Sequence, residues 1–171
     1  MKNQRSSAFY QLDKTDRAIL GYLQANGRLS NADLARKINL SPSPCLDRVK
    51  KLEGKGFIQG YMAILDPTLL ESQLLIFVEI ILKRTAGDAF KVFRQRILDI
   101  PEVLDCHLVS GNFDYLIKAR VRDMQEYRSL LGEKILPIPG VEGSRTYVVM
   151  EEVKESLRLR IPANNKNQPS I

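Results

Sequence analysis

The stretch LSPSPCLDRVKKLEGKGFIQGY, Leu40 to Tyr61, opens with two Ser–Pro pairs and is broken at Gly54 and Gly56. A helix fits between them. Ser41 or Ser43 supplies the cap, Pro42 or Pro44 occupies the first helical position, and the glycines end it. Leu46, Val49 and Leu52 recur at i, i+3 and i+6, so the spacing predicts one buried face. Asp47, Arg48, Lys50, Lys51 and Lys55 are then expected to project outward. Beyond Gly56, Phe57 to Tyr61 onward reads as a strand.

Two more helices precede this one. Asp13 is the expected N-cap of the first and Asp16 its third residue, with Ile19, Leu20 and Leu23 as the buried stripe and Asn26-Gly27 as the stop. Ser30 caps the second, Asp33 stands three residues on, and Leu34, Ala35 and Ile38 face inward. Three short helices with a tight second turn and a basic third helix form a helix-turn-helix pattern, because an α-helix fits the major groove of duplex DNA. Ser41, Ser43 and Pro44 are small enough for close approach. Arg48 is the candidate for a bidentate contact, and Lys50, Lys51 and Lys55 are candidate phosphate anchors, with Asp47 on the same face.

The charge distribution agrees. Residues 1–65 carry 11 Lys/Arg against 5 Asp/Glu, a balance of +6, whereas residues 66–171 carry 15 of each. A local cationic excess suits a polyanionic partner. Cys45 and Cys106 are far apart and in no CxxC spacing, so neither a disulfide framework nor a zinc site is expected. No cofactor fingerprint occurs. The amino terminus lacks an apolar core for a signal peptide, and the greasiest run, Leu74 to Leu82, contains Glu79 and is too short to span a bilayer. A cytoplasmic location with no membrane partner is the expectation.

After the turn-rich Asp66-Pro67 the periodicity changes. Strands are expected at 74–83, 102–110, 113–121 and 144–153, with helices at 87–98 and 123–136. That βαββαβ order is the ferredoxin-like arrangement. The fold class is therefore α+β, a helix-turn-helix domain followed by a ferredoxin-like domain. The expected divisions are a tail at 1–11, the DNA-binding domain with its hinge at 12–65, the second domain at 66–161 and a disordered end at 162–171. Apolar residues of both parities in LLIFVEIIL and TYVVM imply that a second copy covers the open sheet face, giving a homodimer.

Four segments resemble the Lrp/AsnC (feast/famine) family of bacterial and archaeal regulators: LDKTDRAILGYLQANGRLSNADLA, LSPSPCLDRVKKLEGKGFIQGY, VLDCHLVSGNFDYLIKARV and RTYVVMEEVK. The resemblance runs from Leu12 to Lys154. It implies a winged helix-turn-helix domain with a hinge strand, transcription regulation, dimers assembling further to octamers, and response to an amino-acid effector, with leucine the first candidate. It also implies that the loop Gly111, Asn112, Phe113 and Asp114 takes part in the effector pocket. From the residues alone, Gly111-Asn112 is equally a hairpin turn in which Asp114 satisfies local backbone donors. Tyr147, Val148 and Val149 on the last strand, and Leu108, stand between pocket lining and core packing. His107, the only histidine, reads as packed or hydrogen-bonded rather than catalytic.

Two other functions compete: an architectural nucleoid-type protein without effector response, and an enzyme like the sirohaem decarboxylases, which share this fold. A single histidine and an intact basic helix argue against the enzyme.

Overall fold

Asp13 begins the first helix as its position predicts. It accepts a hydrogen bond from the Asp16 N–H (2.7 Å), and the Asp16 carboxylate accepts in return from the Asp13 N–H (3.3 Å). Each exchange satisfies a donor that a helix start leaves without a partner. The computed structural model describes residues 11–83 and 87–162. The rest of the two expected tails, residues 1–10 and 163–171, lies outside the described residues. The chain forms two units. Among the described residues, one holds 11–64 together with 156–162, and the other holds 65–83 and 87–155. Residues 156–161, expected with the sheet, therefore group with the helices.

The helical unit contains α1 (Lys14–Ala25), α2 (Asn31–Lys37) and α3 (Pro42–Gly54). Ser30 caps α2 by accepting from the Asp33 N–H at 3.1 Å. Asn39, at φ +55°, turns the chain directly into α3. At the far end Gly56 adopts φ +77°, its N–H reaches the Glu53 carbonyl (2.8 Å), and the Phe57 N–H reaches that of Leu52 (3.0 Å). These are the paired bonds of a Schellman stop, which needs a residue without a Cβ penalty.

Ile19, Leu34, Ala35, Cys45 and Leu52 are fully buried here, with Leu12, Leu20, Leu23, Ile38, Val49 and Ile58 packed around them. The phase of α3 thus differs from the expected one: Cys45 is inside and Leu46 is 40% exposed. The i, i+3, i+6 pattern fits a period of three, whereas Cys45, Val49 and Leu52 fit i, i+4, i+7, which a helix of 3.6 residues per turn keeps on one side. Phe57 to Tyr61 forms no strand in this chain. Extended backbone becomes a strand only beside another strand, and the described residues of the helical unit offer none.

The sheet unit runs β1 (Leu74–Leu82), α4 (Ala89–Ile97), β2 (Val103–Leu108), β3 (Tyr115–Val121), α5 (Met124–Ser129) and β4 (Val141–Val148), with α5 continuing as a π-helical turn from Leu130 to Ile135. The strand order is β2-β3-β1-β4, with every pair antiparallel. This is the expected ferredoxin-like topology. Ile76, Val78, Ile80 and Leu82 of β1 and Tyr115, Ile117, Ala119 and Val121 of β3 share a core with Phe93 and Ile97 of α4 and Tyr127 of α5.

The last strand starts at Val141 and ends at Val148, not at 144 and 153. A register shift between Ile81 and Leu82 lets Val141 pair with Leu82. At the other end Val149 makes one more bond, to the Leu75 carbonyl (3.0 Å), where β1 itself begins. From there Glu152 pairs with Arg120 and Glu155 with Lys118, both on β3.

Candidate functional site

Two places carry the candidate residues: the outer face of α3, and the loop between β2 and β3. On α3, Ser41, Ser43, Pro44, Asp47, Lys50, Lys51 and Lys55 are exposed. Ser41 stands at the N-cap without a side-chain cap hydrogen bond, so its hydroxyl is not spent on the helix. The start of α3 is tied to α2 by Asn31, whose side-chain amide donates to the Pro42 carbonyl at 2.8 Å.

Arg48 departs from the expectation. Its Nη1 donates to Asp13 Oδ2 (2.6 Å) and to Asp16 Oδ1 (2.8 Å), and Asp16 is 1% exposed. One turn after Cys45, Arg48 lies at the margin of the buried face and reaches the start of α1. Arg48 is thus an interhelical clamp and not a freely projecting cation. Burial pushes the Asp13 carboxyl up, but hydrogen bonds from the Asp16 N–H and from Arg48 outweigh it, and its pKa falls below the ordinary value.

A depressed carboxylate contributes stability above its unfolded pKa and loses it as pH falls through the folded one. The clamp should therefore leave stability level above about pH 5 and weaken the helical unit below about pH 4. Urea midpoints measured from pH 6 to pH 2 should show this fall, and Asp13→Asn should flatten it.

The second place is a cavity of about 720 Å³ lined by Gly111, Asn112, Phe113 and Asp114, together with Ile81, Leu82, Lys83 and Glu142. Gly111 takes φ +156°. The Asp114 N–H donates to the Ile80 carbonyl (2.8 Å), and Asp114 Oδ2 accepts from the Leu82 N–H (2.7 Å). One carboxylate oxygen of Asp114 thus serves the backbone at the β1 register shift. The cavity offers an ammonium from Lys83, carboxylates from Glu142 and Asp114, and apolar surface from Ile81 and Phe113. Lys83 and Glu142 escaped the sequence reading. The only signal available was a charge at each strand end beside the loop.

The other four expected residues do not line this cavity. Leu108 is exposed opposite Tyr115, Tyr147 donates its hydroxyl to Glu79 Oε1 (2.9 Å), Val148 stands opposite Ile76, and Val149 bonds the start of β1. The β2–β3 turn and the exposed end of β4 belong to different parts of the sheet.

Residues 12–59 match the family described as winged helix-turn-helix DNA-binding, and residues 75–159 match the Lrp/AsnC ligand binding domain. The chain belongs to the Lrp/AsnC family. The leucine-responsive regulatory proteins of Klebsiella pneumoniae and Escherichia coli (strain K12) are each 57% identical to it over 150 residues, 88% of this chain and 92% of theirs. Among solved structures, a transcriptional regulator of Neisseria meningitidis in complex with L-Met is 37% identical, with a TM-score of 0.84 over 88% of this chain and 97% of that one. AsnC of E. coli superposes with a TM-score of 0.78 at 27% identity, over 85% and 97% of the two chains. This Lrp/AsnC member is accordingly a DNA-binding regulator with a ligand-binding domain, not an enzyme. Among the described residues, no helix is long and apolar enough to cross a membrane.

Proposed function

We propose that this Lrp/AsnC regulator, cytoplasmic in location, binds double-stranded DNA through Ser41, Ser43, Pro44, Asp47, Lys50, Lys51 and Lys55, and that leucine is its effector. The observation that carries the DNA contact is the outer face of α3, where small residues at the helix start precede exposed cations. Small residues allow the helix end to approach base edges, and lysines anchor phosphates. Arg48 orients this helix from behind. The working unit is a homodimer, supported by an open sheet face on which Phe77 and Leu116 remain only half-buried. Two helices presented by a dimer meet half-sites about one turn apart, roughly 34–36 Å. Dimers assemble further, to octamers, and gain avidity.

Leucine enters the cavity at the Gly111–Asp114 loop. Lys83 meets its carboxylate, Glu142 or the second oxygen of Asp114 meets its ammonium, and Ile81 and Phe113 meet its side chain. Binding there alters assembly and hence DNA affinity by linkage.

Duplex titrations across a salt series, with and without leucine, test this reading. Wild-type affinity should fall linearly with log salt concentration, and Lys50→Ala should reduce that slope by about one. Leucine should shift affinity or light-scattering mass, and Glu142→Gln should blunt the shift. Salt-insensitive binding would remove the α3 interface. Salt-sensitive binding with no leucine response would favour an architectural role.

A further inference from the structure

Residues 156–162 belong to the helical unit although the chain arrives there from the sheet. Their contacts explain why. The side-chain amide of Gln24 donates to the Leu159 carbonyl (2.9 Å) and accepts from the Leu159 N–H (2.6 Å). Both main-chain groups of one extended residue are thereby satisfied, as a neighbouring strand would satisfy them. Seven residues earlier on α1, Arg17 Nε donates to the Pro162 carbonyl (2.9 Å).

Between them lies Gly21. A Cβ built there would stand 3.9 Å from Ile161 Cδ1, so the Ile161 side chain rests directly over the bare helix backbone. Arg17, Gly21 and Gln24 follow the i, i+4, i+7 spacing of a single helix stripe. Glycine inside a helix costs about 1 kcal/mol relative to alanine, and helix formation alone supplies no reason for it at this position. A seat for an extended segment does supply one. Leu159, Ile161 and Pro162 also share an apolar cleft of about 380 Å³ with Leu12, Leu20 and Leu23 and with the hinge residues Phe57, Ile58 and Tyr61.

We propose that the Arg17–Gly21–Gln24 stripe is a docking surface whose occupant is this chain's own Leu159–Pro162 segment, seated in cis as a second tether on the DNA-binding unit. Glu155 is paired with Lys118 on β3, and Leu159 is held by Gln24, so only Ser156, Leu157 and Arg158 separate the two anchorages. The chain crosses between the units at 64–65 and again at 155–156. With the second crossing seated, the recognition helix has less freedom to lose when a dimer engages two half-sites. With that seat released, its effective concentration at the second half-site falls.

The proposal rests on the DNA-binding reading above, and two experiments separate their fates. Full-length Gly21→Cys/Ile161→Cys on a Cys106→Ser background, treated with a short bismaleimide, should give an internally linked monomer band on denaturing gels. A dimer-sized band would mean that a partner's segment fills the seat, and no cross-link would mean that the seat is empty. Either result overturns the proposal without touching the DNA reading. Ile161→Asp should then bind a two-half-site duplex about tenfold more weakly than wild type while binding a single half-site equally well. Equal losses on both duplexes, or no loss on either, overturn the tether. If wild type binds neither duplex, the DNA-binding reading fails, and the cross-link alone judges the seat.

Discussion

Arg48→Ala is expected to destabilise the helical unit by about 2 kcal/mol and to weaken DNA binding at every base position alike. Removing the guanidinium takes the Arg48 ion pair from Asp16, which is 1% exposed, and frees α3 from the start of α1. Breaking a fully buried ion pair costs about 3–5 kcal/mol. Arg48 keeps 36% of its side-chain surface in water, and solvent screening lowers the expected loss. Urea unfolding gives the stability term, and binding to a set of single-base operator variants gives the second. A selective loss at one base pair with unchanged stability would make Arg48 a direct reader after all. Coupling in a double-mutant cycle with Asp13→Ala would support the clamp.

Gly140→Ala should cost the sheet unit about 3 kcal/mol. Gly140 sits at φ +94°, a region that a residue with a Cβ rarely adopts. The added methyl would lie 2.5 Å from the Ala89 Cβ and 3.3 Å from its Cα, where α4 begins. Rotating the peptide away would also disturb the bond from the Lys83 N–H to the Gly140 carbonyl (2.8 Å), which closes β1 beside the cavity at the Gly111–Asp114 loop. On the proposed leucine site, the variant should therefore lose leucine affinity as well as thermal stability. A loss below about 1 kcal/mol would show that the α4 start gives way easily.

How much of this was legible depends on how far the deciding contact lies along the chain. Asp13, Ser30 and Gly56 announce their caps and stops, because a cap is settled within four residues. The βαββαβ order is equally local in origin, since alternation of period and turn residues sets it. The phase of α3 was not legible. Leu46 is as apolar as its neighbours, and a helix entered through two prolines can be rotated by one residue without offending its own sequence. Only the packing of α1 and α2 chose Cys45.

The roles at the two candidate sites divide in the same way. The basic character of α3, the β2–β3 turn at Gly111-Asn112 and the family signature all reside in short runs of residues. Arg48 reads as one more outward cation until Asp13, 35 residues earlier, is brought against it. Lys83 and Glu142 come to line one cavity only when the end of β1 and the start of β4 meet beside the same loop. Leu159 to Pro162 looks like the start of a loose end until Gln24, 135 residues away, takes hold of it. Propensity, capping and charge act over a turn or two of chain, so the residue string carries them. Which cation is tied down and which stays outside depends on groups that meet only once the chain has folded.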